Sequence, residues 1–162
     1  MMLSLPSASQ LLVRFGARDI AEVAVPDDQR PIEPALLVAA AAGEPLDEWP
    51  TEDIVIAALA LARLADAIGR ARSEVSFYLR FRPDQPAPEW VTDDLAEIAR
   101  YHLYDDAGKE ESTVRVLYKD VIKRLETLAA EDEKRGASAT TGAALHMSSQ
   151  PRLMDRNSLG RL

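Results

Sequence analysis

Any chemistry in this chain would fall to carboxylates. Cysteine is absent and the histidines are two, His102 and His146, which excludes disulfides, thiol catalysis, thiolate metal sites and a His-rich metal centre. Acidic side chains come in adjacent pairs: Asp27 with Asp28, Glu52 with Asp53, Asp93 with Asp94, Asp105 with Asp106, Glu110 with Glu111. Carboxylates held close push their pKa values apart or share a cation such as Mg²⁺, as general acid/base work or metal-assisted hydrolysis requires. Most of these pairs fall at expected helix ends, where acids serve capping and solvation, and that reading is preferred. His102 stands three residues before Asp105 in ARYHLYDD, the arrangement of an oriented general base. No Ser, Thr or Lys beside it completes a nucleophile motif, so a partly buried or interface histidine is the stronger reading. His146 has weaker support still. The glycines form neither GxGxxG nor GxxxxGK[ST], and no phosphate cradle or nucleotide cofactor is implied. The chain is read as a non-enzyme, with no catalytic residue, cofactor or metal ligand assigned.

The elements that would position these groups read as helices. Ser7 and Ser9 are both N-cap candidates before QLLVRF, which Gly16 stops. A second short helix, ARDIAEVAV, follows until Pro26. Residues 31–50 hold four prolines around ALLVAAAAG and read as a decorated connection with two or three helical turns. Three long helices follow, over 52–82, 89–106 and 110–133. In the first, Thr51 is the expected cap, and Ile54, Ala57, Leu61, Leu64, Ile68, Ala71, Val75 and Tyr78 form a stripe at alternating three and four spacing. Gly69 is its weak point. The second should bury Val91, Leu95, Ile98, Ala99 and His102 or Leu103, and the third Val114, Leu117, Val121, Leu125 and Leu128, with Lys119, Lys123 and Arg124 outside. A short strand in LHMSS (145–149) is the sole β candidate. The expected class is all-α: a small helical bundle with a long central helix over 1–135 and an extended C-terminal docking arm over 136–162.

Charge separates these two parts. Residues 1–134 hold 15 basic and 26 acidic side chains, whereas 135–162 hold four and one. An acidic body repels phosphate backbones and argues against a groove-reading DNA binder. The small, polar and then sparsely apolar tail has no periodicity to bury on its own bundle, and suits ordering on a partner. No stretch reaches the roughly 18 charge-free apolar residues of a membrane span, and the start lacks a leader pattern; a cytoplasm-like compartment is expected. Two rivals stay open: a small carboxylate-dependent hydrolase or lyase using His102 with Asp105 or Asp106, and a helical DNA-binding regulator.

Taken in order, SASQLLVRFG, the helix ending in EVSFYL, LAEIARYHLYDD with VRVLYKDVIKRLETLA, and PRLMDRNSLGRL resemble the Mu-like phage and prophage proteins regarded as head-completion or head–tail adaptor (connector) proteins. The correspondence runs through Arg14, Phe15 and Gly16, through Tyr78 and Leu79, and through Ala99, Arg100, Tyr101, Leu103 and Tyr104. It closes on Arg152, Leu153, Met154, Arg156 and Leu159, where Met154 takes the place of a more usual aromatic. Residues 31–50 look like an insertion. The resemblance implies a ring of about twelve copies under the portal protein, at the virion head–tail junction and assembled in the host cytoplasm. A tail-completion protein would bind on the other side, and genomic DNA would pass through the channel without sequence-specific binding. It also implies that Arg152, Leu153, Met154, Arg156 and Leu159 are the portal-binding part of the arm.

Overall fold

A computed structural model describes residues 3–82, 85–104 and 112–143, with side chains through Gly136. Six α-helices and no strand occur among them: α1 Ala8–Phe15, α2 Ala17–Ala24, α3 Pro34–Ala42, α4 Thr51–Tyr78, α5 Trp90–Leu103 and α6 Thr113–Ala143, with a 3₁₀ turn at Leu79–Phe81 after α4. The all-α expectation holds. Of the expected arm, 136–143 belong to α6, and 144–162, the 145–149 strand candidate among them, lie outside the described residues.

Local chemistry explains most helix ends. The Ser7 hydroxyl accepts from the Gln10 amide at 3.2 Å while Gln10 Oε1 accepts from the Ser7 amide at 2.8 Å, a reciprocal cap that satisfies two orphan donors. Ser9 instead donates to the Ala41 carbonyl on α3 at 3.0 Å. Gly16 has φ +89° and turns the chain between α1 and α2, a backbone state that side chains resist. Gly43, at φ 73°, closes α3 with its amide on Ala40 and the next amide on Ala39. Thr51 is not the cap of α4: Pro50 holds that position with no side-chain bond. Helix α6 continues past the expected end at 133 to Ala143, because Gly136 and the small residues after it weaken a helix without stopping it.

One core joins all six helices. Against expectation, the Ala-rich piece is part of it: Leu36 and Leu37 of α3 are fully buried, and α3 packs on α1, α2 and α4. The buried line of α4 runs Ala57, Ala60, Leu64, Ala67, Ala71, Val75, while Ile54, Leu61, Ile68 and Tyr78 flank it half-buried. The predicted stripe is therefore rotated toward the small alanines, on a helix whose most extensive packing is with α5, where Ala96 and Ala99 are buried as well. Helix α5 buries Val91, Leu95, Ile98, Ala99 and Leu103 as expected, with Asp94 and Ala96 added. In α6, Val114, Val121 and Leu125 are buried, but Leu117 is 37 % exposed. Tyr118 takes the inward position beside it.

Candidate functional site

His102 is the sequence candidate that the structure places in a defined polar cluster. Its Nε2–H faces Glu74 Oε2 at 2.9 Å. Glu74 Oε1 accepts from the Tyr118 hydroxyl at 2.6 Å, and Tyr118 stacks on Tyr101, ring centroids 3.8 Å apart at 12°. One carboxylate thus ties α4 to both α5 and α6. Burial, and then the bond to Glu74, raise the Tyr118 hydroxyl pKa above its ordinary value, so Tyr118 is held as a donor. The cluster opens onto a cleft lined by Asp66, Arg70 and Ser73. Ser73 sends its hydroxyl to the Gly69 carbonyl at 3.1 Å, and Arg70 pairs with Asp66 at 2.8 Å. The partner of His102 is Glu74, which sequence spacing did not suggest; Asp105 and Asp106 lie outside the described residues, as does His146.

The acidic pairs separate into individual roles. Asp93 pairs with Arg14 of α1 at 2.5 Å. Its neighbour Asp94, 4 % exposed, is gripped by the Arg124 guanidinium, whose Nε donates at 3.1 Å. Burial raises the Asp94 pKa and Arg124 opposes it. Glu52 and Asp53 both meet Arg30, at 3.3 and 2.7 Å. A further carboxylate, Asp132, sits inside EDEKRG at the expected end of the third long helix, yet it is 4 % exposed. It accepts two bonds from Arg82, Nε at 2.7 Å and Nη2 at 3.0 Å, plus one from Arg135 at 3.2 Å. The Arg82 bond holds the Asp132 pKa below the usual carboxylate range. Among the described residues no group of three or more acidic or histidine side chains could hold a metal ion, and no helix is long and apolar enough to cross a membrane.

The segments that carry the resemblance also meet. Arg14 reaches Glu97 as well as Asp93, at 3.2 Å, and the Phe15 ring lies 4.8 Å from the Arg100 guanidinium, which also stands 5.5 Å from Tyr104. The Arg-Phe-Gly and Ala-Arg-Tyr segments are thus one α1–α5 contact of ion pairs and cation–π stacking. Leu79 of the Tyr-Leu segment is buried at the 3₁₀ turn. The family model described as bacteriophage Mu, Gp36 matches residues 7–150. The chain belongs to the bacteriophage Mu Gp36 family. No curated protein and no solved structure matches it. For this Gp36-family protein the motif residues within the described parts act through packing between helices. The five arm residues, Arg152, Leu153, Met154, Arg156 and Leu159, lie outside the described residues.

Proposed function

We propose that this chain is a head–tail connector of a Mu-like phage, forming a ring between the portal protein and the tail at the head–tail junction. Membership of the Gp36 family carries the reading. The acidic balance of residues 1–134 supports it: like charge keeps duplex DNA from adhering as it passes through a channel. The exposed Val55 and Leu59 on α4 are available for contact with neighbouring copies. In this reading Arg152 and Arg156 pair with portal carboxylates or main-chain carbonyls while Leu153, Met154 and Leu159 enter apolar pockets, with strand addition to a sheet edge as one mode.

The test is co-sedimentation with the portal ring encoded nearby. Because α6 runs to Ala143, the shortened chain should end there, so that the helix is kept whole. Binding of the full-length chain alone, in fixed stoichiometry, supports both the connector and its arm. Equal binding by the two chains removes the arm from the contact, and binding by neither removes the portal as partner.

A further inference from the structure

The end of α4 carries an aromatic platform that core packing does not require. Arg80 lies 4.1 Å from the Phe77 ring centroid and 4.3 Å from that of Phe81, and its Nη1 donates to the Phe77 carbonyl at 2.7 Å. Phe77 is nevertheless 60 % exposed. The platform forms one wall of an open groove of about 320 Å³, whose other wall is Glu126, Ala129, Ala130 and Glu133 of α6. Neither glutamate takes part in the ion pairs that Arg124, Asp132 and Arg135 of α6 make. Seven residues apart, Glu126 and Glu133 stand on one side of the helix about 10 Å from each other, with the two alanines as a low floor between them.

We propose that this groove holds the chain's own C-terminal segment, residues 150–162, folded back along α6. That segment reads QPRLMDRNSLGRL. In extended backbone, alternate residues share a side, so Arg152, Met154 and Arg156 face one way with the two arginine Cα atoms about 13 Å apart. A base, a thioether and a base meet an acid, a small floor and an acid. Arg152 lies opposite Glu133, Arg156 opposite Glu126, and Met154 over Ala129 and Ala130, with its sulfur against the Phe77 ring. Reach permits it: Ala143, the last described residue of α6, is about 15 Å beyond Glu133 along the helix, and the nine residues from Ala143 to Arg152 span up to about 30 Å. Charge favours it as well, since residues 135–162 hold four basic side chains and one acidic while the rest of the chain is acidic. The inference stands apart from the connector reading, because it concerns the isolated chain.

The chain has no cysteine, which makes disulfide trapping unambiguous. The full-length variant Ala130→Cys with Met154→Cys is oxidised mildly, beside a control pairing Met154→Cys with Ala58→Cys, a position exposed far up α4. The expected result is an intramolecular crosslink forming roughly tenfold or more faster at Ala130 than at Ala58, as docking raises effective concentration. Adding Glu126→Arg with Glu133→Arg should remove that advantage, and adding Arg152→Glu with Arg156→Glu to them should restore it. Both glutamates are exposed, so the reversal leaves the core untouched. Equal rates at the two positions, or a fast rate that survives the reversal, overturns the proposal. A covalent dimer overturns it in favour of the same segment from a second copy. None of these outcomes involves the portal, so failure here is distinguishable from failure of the connector reading.

Discussion

At the scale of single residues, two buried aspartates, Asp94 on α5 and Asp132 on α6, respond to pH in opposite senses. Arg82 lowers the Asp132 pKa, so its stabilisation is present above the unfolded carboxylate pKa and lost as pH falls through the lower folded one. Burial raises the Asp94 pKa, so its contribution is largest in acid and declines as pH rises from the unfolded value through the folded one. Asp132→Asn is expected to cost about 3–5 kcal/mol near neutral pH, because it leaves the Arg82 charge largely buried without its partner. Urea unfolding across the acid range should show a shallower loss of stability for this variant than for the parent chain. Asp94→Asn should do the reverse and steepen the acid limb. The Glu74 cluster belongs to the same scale: its two oxygens are committed to two different helices, which makes it a fastening between elements.

Elements raise a different question, that of backbone conformation. Two glycines with equally open surroundings separate cleanly. Gly69 lies inside α4 with no atom within 4 Å of where a Cβ would stand, so Gly69→Ala should stabilise the protein by about 0.5–1 kcal/mol through helix propensity. Gly16 has equally open surroundings but φ +89°. Gly16→Ala should therefore destabilise by about 1–2 kcal/mol, the cost of forcing a side chain into a left-handed backbone. Thermal melts of the two variants give opposite shifts if conformation, and not space, decides. Where the apolar period was strong, as in α5, the buried face was legible in advance. In α4 it was legible only to within a rotation, because alanine and leucine both satisfy the period and the neighbouring helix selects the small ones. In the 31–50 connection the expected two or three helical turns are present as α3, but its place in the core was not legible, since the four prolines mark the turns around α3 and say nothing of Leu36 and Leu37, which the core covers completely.

On the scale of the whole molecule, the rival reading as a carboxylate-dependent enzyme makes a thermal prediction. A cation bound to the native state alone would raise the melting temperature. No group of acidic and histidine side chains is gathered to hold one among the described residues, and Mg²⁺ or Mn²⁺ is expected to leave the melting temperature unchanged. A clear rise at millimolar metal would reopen the enzyme reading. The same whole-molecule view places the Arg-Phe-Gly and Ala-Arg-Tyr segments in one α1–α5 contact, although they lie far apart in the chain.

Helix class, helix number, the stop at Gly16 and the uneven charge were legible in the sequence alone, because they rest on composition or on residues within one or two turns of each other. The choice of Ser7 over Ser9 as cap, by contrast, came with the Ser9 bond to Ala41 on α3. Which polar groups meet was decided only by tertiary structure. His102 finds Glu74, Arg124 finds Asp94, Tyr118 finds Glu74 and Arg82 finds Asp132 across 28, 30, 44 and 50 residues. No local period encodes such separations: the partner of a buried charge is whatever the packing of apolar faces brings beside it, and burial then makes that pairing necessary.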